Sequence, residues 1–232
     1  SHGFLLLLSV RYYGVYLIKM NYKLLALGGD GIGPEVLESG LSILEAISKK
    51  NNLNFEISFD LIGGTCWDKY GTFCRNSTIE KAIESDAILV GAVGGHKWDA
   101  MKIKGDPEEQ DGLMCLRKKL GAFFGIRPAK NYKSLQNIIP FNKEYVQNSE
   151  IIILREMCGG VMFSKPRGLK FLENDERYGF DTAGYNEFEI REFAKCGFEL
   201  AKMYNKNIIS IDKSNVMESY RLWRDVVQEV SN

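Results

Sequence analysis

The chain is 232 residues long and 45% apolar, with 30 basic side chains against 30 acidic ones. That balance describes a globular protein with a sizeable core and room for two lobes. Zero net charge argues against a nucleic-acid partner, which needs clustered Lys and Arg to meet phosphates, and no apolar run is long enough to span a membrane.

Residues 1–19 hold the apolar run Phe4–Val10, broken by Arg11 and not preceded by the basic segment of a secretory signal. Met20 follows, so 1–19 reads as a tag or upstream segment, with a targeting peptide as the alternative. Lys23–Leu27 predicts a strand, Gly28–Gly33 a glycine turn, and Pro34 the first turn of a helix with Val36, Leu37, Leu41, Leu44 and Ile47 on one face. Phe55–Leu61 alternates as a strand, and Ser77 with Glu80 forms a capping box for a helix through Ile83. Ala87–Val93 reads as a buried strand running into Gly94-Gly95. Leu113–Leu120 reads as a helix, and Ala122–Ile126 as a strand ending before Pro128.

Beyond this point Ile151–Leu154 predicts a strand. Gly160–Phe163 and Phe180–Ala183 predict two more, flanking a polar excursion from Lys165 to Gly179. Asn186 and Glu189 cap a helix whose stripe is Ile190, Phe193, Ala194, Gly197, Phe198 and Ala201. Ile208–Ile211 predicts a strand, and Met217–Val230 a last helix. Alternating strands and helices give an α/β fold, with 20–122 as the first part of a large domain and 123–232 as a smaller one.

The two histidines, His2 and His96, are too few for a His-based metal site or a Ser-His-Asp triad. The five cysteines, Cys66, Cys74, Cys115, Cys158 and Cys196, form no CxxC pair. They read as free thiols in a reducing compartment, which places the protein in the cytoplasm. The glycine turn follows a strand and opens a helix, a context suited to an anion. Its spacing is not that of a Rossmann turn, Glu35 would repel a pyrophosphate, and a turn needing φ > 0 accounts for the glycines without a ligand.

Gly28-Gly29-Asp30-Gly31-Ile32-Gly33-Pro34-Glu35 is the first of an ordered series. It continues with Gly94-Gly95 and Lys97-Trp98-Asp99, then Gly112-Leu113 with Arg117-Lys118, then Arg127-Pro128-Ala129-Lys130. Arg155-Glu156 with Gly159-Gly160, and Asp212-Lys213-Ser214-Asn215-Val216, complete it. Together these motifs resemble the isopropylmalate dehydrogenase branch of the isocitrate/isopropylmalate β-decarboxylating dehydrogenases, from Lys23 to Val230.

The resemblance implies the two-domain α/β fold of that family, here incomplete and not a Rossmann fold. It also implies oxidation and decarboxylation of a 2-hydroxy-dicarboxylate using NAD and a divalent cation, Mg²⁺ or Mn²⁺. The alkyl-bearing substrate it points to is 3-isopropylmalate, of leucine biosynthesis. Arg117, Arg127 and Arg155 become the substrate-binding arginines, and planar bidentate donors that stay charged suit a dianion. Lys213 becomes the catalytic lysine acting across a homodimer interface, a role requiring a lowered pKa. Ile32, Gly94, Gly95, Gln110 and Asn215 become cofactor contacts. Leu113, Met114 and Val216 shape an apolar substrate pocket, unless the first two are ordinary core residues of an amphipathic helix. The excursion from Lys165 to Gly179 matches the arm that pairs with a second subunit.

Three departures from the family pattern stand out. Met162 occupies the position of a proton-donating tyrosine, and a thioether donates no proton; Tyr178 and Tyr185 lie nearby in sequence. Gln110 stands where a glutamate is usual. The family's metal-binding aspartates fall beyond the residue matching Val230, and neither Asp212 nor Asp225 matches them, so this chain is expected to hold no metal ligands and to be inactive alone. Two other readings stay open: a related tartrate- or alkylmalate-type dehydrogenase, and a non-catalytic dimer partner.

Overall fold

The computed structural model describes residues 5–7, 21–101, 105–147 and 149–232. Met20 and most of the segment read as preceding the fold lie outside the described residues. The chain forms two compact units that meet at Ala122 and Phe123.

In the first unit Leu5–Leu7 (β1) and Asn21–Gly29 (β2) are followed by a helix, Gly33–Asn51 (α1), and a strand, Asn54–Asp60 (β3). Gly64–Tyr70 (α2) and Asn76–Glu84 (α3) lead to Ala87–Ala92 (β4). Two single turns, His96–Asp99 (α4) and Pro107–Gln110 (α5), precede Gly112–Leu120 (α6). The sheet order is β1-β4-β2-β3, with β2 parallel to both β3 and β4 and β1 antiparallel to β4. A central parallel strand is covered on both faces, which is why Leu24–Leu27 is continuously apolar and buried. Leu25, Leu27, Ile62, Ala82, Ile88, Val90 and Leu116 make the core.

Pro34 lies in the first turn of α1 as expected, and Leu37 carries most of its burial. The box read at Ser77 and Glu80 does not form. Helix α3 starts at Asn76 without a side-chain cap, because the Arg75 carbonyl takes the amides of Thr78 and Ile79.

In the second unit Phe124–Lys130 (β5), the one-turn Lys143–Val146 (α7) and Glu150–Glu156 (β6) come first. Gly168–Phe171 (β7) and Arg177–Phe180 (β8) form a two-stranded antiparallel hairpin. Glu187–Tyr204 (α8) and Glu218–Ser231 (α9) pack on each other. Strand β5 runs past Pro128, where the sequence predicts a stop. Proline is tolerated in an edge strand, and β5–β6 is a two-stranded ribbon made of edges.

Gly160–Phe163 is not the predicted strand but a 3₁₀ turn. Gly160 takes φ +65°, its amide donates to the Gly184 carbonyl, and its own carbonyl receives the amide of Ser164. The strand predicted at Phe180–Ala183 ends at Phe180. Ile208–Ile211 forms no strand among the described residues; Ile209 and Ile211 are about nine-tenths exposed, at 86% and 85%, with no neighbouring strand to complete a ladder.

The box of Asn186 and Glu189 forms in both directions at 2.9 Å, and Ile190, Phe193, Ala194 and Gly197 of the α8 stripe are buried, with Phe198 and Ala201 partly so. Phe193 meets Phe124 at 5.1 Å between ring centroids, so α8 covers one face of the β5–β6 ribbon.

Candidate active site

In the first unit the candidate site grows from the ends of β2 and β4. Gly29 and Gly31 take φ of +75° and +54°, which turns the chain sharply enough to bury the side chain of Asp30. That carboxylate accepts the amides of Gly64 at 2.8 Å, Thr65 at 2.7 Å and Gly94 at 2.9 Å. One acidic side chain therefore ties together the turn after β2, the start of α2 and the end of β4. Within the turn the Asp30 amide donates to Ala92 at 2.6 Å and the Gly33 amide to Asp30 at 2.8 Å, so the bend at Asp30 has a structural role. In the sequence the one signal that marks Asp30 is an acid flanked by glycines at a strand end.

A cleft of about 180 Å³ opens beside this knot, walled by Gly64, Phe73, Gly94, Trp98, Gln110 and Gly112 among others. Trp98 lies flat on Gly64, where any Cβ would overlap the ring, and its indole Nε1 donates to Asp68 at 3.2 Å. Lys97 donates to the other Asp68 oxygen at 2.7 Å. Of the residues expected to touch a cofactor, Gly94 and Gln110 line the cleft, and Gly95 lies against Trp98. The Gln110 side-chain amide donates to the Gly105 carbonyl. Ile32 is exposed at the head of α1.

Asp111 caps α6, its carboxylate accepting the amides of Leu113 at 2.7 Å and Met114 at 3.0 Å. Leu113 packs against the core while remaining half-exposed; Met114 is also half-buried, and Arg117, one turn on, is buried.

In the second unit, pairing sets Gly125 opposite Arg155 and Arg127 opposite Ile153. Arg127 and Arg155 thus share one face of the ribbon as diagonal neighbours, about 7–8 Å apart at the backbone. This is the face away from α8, and both arginines are exposed. The Arg155 Nη2 donates to the thioether sulfur of Met162 at 3.1 Å. Arg167 donates to the Met162 carbonyl at 2.7 Å and pairs with Asp181 at 2.9 Å.

Glu156 points to the opposite face. Its carboxylate accepts the amides of Cys158 at 2.7 Å and Gly159 at 3.0 Å, while burial raises its pKa. Tyr185 belongs to this helix-covered side. Its ring lies along Gly159, its hydroxyl sits against Gly160, and Trp223 meets it edge-on at 5.3 Å. Burial, with Glu156 next, pushes the phenol up to about 12. Tyr178 stacks on Phe180 in the hairpin. Among the described residues neither phenol hydrogen-bonds to Arg155 or Met162, whose sulfur receives the Arg155 guanidinium.

Lys213, Asn215 and Val216 are exposed on an irregular turn. Asp212 organises it, accepting the Ser214 amide at 3.0 Å and two bonds from the Arg224 guanidinium at 3.0 and 2.8 Å. Arg224 holds the Asp212 carboxyl down at about 2. With its oxygens so occupied, Asp212 offers nothing to a cation. Among the described residues no three His, Cys, Asp or Glu side chains stand close enough to hold a metal ion. The residues present therefore do not fit the divalent cation implied by the resemblance. Among the described residues no helix is long and apolar enough to cross a membrane.

A mixed sheet whose glycine turn buries Asp30, and a separate unit with two arginines on one face of an open ribbon, define an α/β protein outside the Rossmann class. The family model described as isocitrate/isopropylmalate dehydrogenase matches residues 23–232, and the chain belongs to that family.

Among its relatives, the 3-isopropylmalate dehydrogenase of Xanthomonas euvesicatoria is 43% identical over 212 residues, covering 91% of this chain and 59% of that protein. The one from Pseudomonas fluorescens is also 43% identical, with 58% of it covered. The chain thus spans under two thirds of the length of the curated relatives it matches.

The isocitrate dehydrogenase of Methylococcus capsulatus superposes with a TM-score of 0.70 at 16% identity, over 90% of this chain and 57% of that one. A β-decarboxylating dehydrogenase from Thermococcus kodakarensis gives 0.65 at 23%, over 90% and 54%. These likenesses establish the fold that the motif series implied.

Proposed function

We propose that these residues belong to an enzyme that oxidises and decarboxylates an alkyl-substituted 2-hydroxy-dicarboxylate, 3-isopropylmalate, with NAD and Mg²⁺ or Mn²⁺, in leucine biosynthesis. The observation that carries this is the pair Arg127 and Arg155, fixed by strand register on one open face. Two planar guanidiniums so placed suit the two carboxylates of a dianion. Arg117 is the third arginine of the set, and Leu113, Met114 and Val216 offer the alkyl group apolar surface. Identity of 43% to two 3-isopropylmalate dehydrogenases supports the substrate class.

NAD would supply the hydride acceptor, and the cleft beside Gly94 and Gln110 suits a single planar ring, with Gly95, Ile32 and Asn215 as outlying contacts. No metal-mediated step follows from the described residues. Lys213 would take the substrate hydroxyl proton from across a homodimer interface, where a second subunit would desolvate it.

The hairpin β7–β8 supports the dimer. Two strands alone are marginal in water, and Leu169 and Phe171 are about two-thirds exposed, at 65% and 67%. The unit from Phe123 to Asn232 is thus the proposed dimerisation domain, and residues 20–122 the first part of the larger one. Free thiols at all five cysteines suit a reducing compartment such as the cytoplasm.

A second reading rests on Met162. Its sulfur occupies Arg155 as an acceptor and offers no proton, and Tyr185 lies on the covered side. That favours a relative with a different last step, tartrate- or alkylmalate-directed, or a non-catalytic dimer partner.

Calorimetric titration of the chain with 3-isopropylmalate, isocitrate and tartrate tests the proposal. Isopropylmalate should bind best, weaken with salt, and weaken at least tenfold in Arg155→Met. Equal binding by Arg155→Met and the parent would refute it. In the full-length parent, carbon dioxide release that rises in Met162→Tyr would mark the methionine as the deficit.

A further inference from the structure

Two thiols that the proposed chemistry does not use stand together at the back of the cleft wall. Cys74 is buried in the segment leading into α3, and Cys115 is half-exposed in the first turns of α6. The backbone holds these segments together. The Phe73 carbonyl runs so close to Gly112 that a Cβ there would overlap it, and the same carbonyl accepts the Gly63 amide at 2.8 Å. Residues three apart on a helix share a face, so Cys115 projects from the side of α6 that Gly112 presents to Phe73 and Cys74. Each thiol is the other's strongest electrostatic neighbour, and the Cys74 Sγ also lies 3.9 Å from the Arg75 carbonyl, to which it donates.

Their surroundings divide the labour. The neighbouring Cys74, helped by Lys119 and opposed by burial and Glu108, lowers the Cys115 thiol. Cys115 in turn pushes the Cys74 thiol up, with burial, Cys66 and Asp60 adding to it. Asp60 is itself ion-paired to Arg75 and Lys81. One thiol is therefore shifted toward ionisation and reachable, while its neighbour is shifted away from it and shielded. That is the arrangement of an attacking and a resolving thiol.

We propose that Cys74 and Cys115 are a redox-controlled pair, converted to a disulfide by a small-molecule disulfide such as oxidised glutathione. The Cys115 thiolate attacks one glutathione sulfur, the glutathione S–S bond breaks, and a glutathione thiolate leaves. Cys74 then gives up its proton, and its sulfur attacks Cys115, expelling the second glutathione thiolate. Two protein thiols are oxidised by two electrons. One oxidised glutathione becomes two reduced ones, which carry away the two thiol protons. The new bond fastens α6 to the Phe73 segment and so fixes one wall of the cleft and the helix that bears Arg117.

The test needs no enzymatic activity. The intact chain is incubated with oxidised glutathione, remaining thiols are alkylated, and the digest is mapped by mass spectrometry. The expected result is a Cys74–Cys115 linked peptide, loss of two of the five alkylatable thiols, and two reduced glutathiones released per chain. Cys74→Ser should stop at glutathione on Cys115, and Cys115→Ser should leave Cys74 unmodified. Glutathione persisting on Cys115 in the unsubstituted chain, a bond to Cys66, Cys158 or Cys196 instead, or no reaction would each overturn the proposal. The map of the unsubstituted chain decides the question even if a serine variant fails to fold.

Discussion

Replacing Asp30 tests the knot that shapes the first unit. Its carboxylate is 1% exposed and accepts three main-chain amides at 2.7–2.9 Å. Hydrogen bonds to a charged group contribute about 1.5–3 kcal/mol each, so a plain sum reaches about 4.5–9 kcal/mol. The three do not add. They share one desolvated carboxylate, and the adjoining cleft, which Gly64 and Gly94 line, admits water to the orphaned amides. The expected cost of Asp30→Ala is therefore about 3 kcal/mol, or about 6–12 °C in the unfolding midpoint for a chain of this size. Asp30→Asn keeps one acceptor oxygen but turns an NH₂ toward a donor, and should cost about half as much. Urea unfolding followed by circular dichroism measures both. If Asp30→Ala stays within about 0.5 kcal/mol of the parent, a surface-like value, Asp30 does not hold the three segments.

Three further outcomes follow from the geometry. Gly64→Ala should lift Trp98 out of the cleft, shifting its emission to longer wavelength in a background with Trp67 and Trp223 replaced by Phe, at a cost of about 1–3 kcal/mol; unchanged emission would contradict the contact. The folded value of Asp212, about 2, lies below its ordinary 3.8, so its stabilising contribution is whole above about pH 4 and is lost as pH falls toward 2. In Arg224→Met the Asp212 carboxyl resonance should titrate near the ordinary value, and a midpoint still near 2 would remove Arg224 as the cause. Phe171→Lys should shift the sedimentation of the chain from dimer to monomer while changing its unfolding free energy by less than about 0.5 kcal/mol; an unchanged sedimentation coefficient would remove the hairpin from the interface.

The legible parts of the chain were those where one residue's neighbours in sequence are also its neighbours in space. The stripe of α8 and the reciprocal cap of Asn186 and Glu189 are of this kind, as is Pro34 in the first turn of α1. Such features depend on helical periodicity and on bonds spanning three or four residues. The ordered motifs likewise point to the family, and through it to the fold. Errors fell where the deciding partner is distant. The run Gly160–Phe163 looks like a strand, yet its amide and carbonyl are claimed by Gly184 and Ser164. Ile208–Ile211 has the residues of a strand and no neighbour among the described residues to complete one.

At the candidate site the sequence by itself determined which groups are present: three arginines, Lys213, and a methionine where a phenol is usual. It could not say what they do to one another. Only tertiary structure decided that Arg127 and Arg155 share a face, because a one-residue change of register would send one of them to the helix-covered side. Only tertiary structure gave the Met162 sulfur to Arg155 and Tyr185 to the side of Glu156. The same holds for Asp30, an acid among glycines in the sequence. Folding brings it three amides from segments more than thirty residues away, and burial makes those bonds costly to lose.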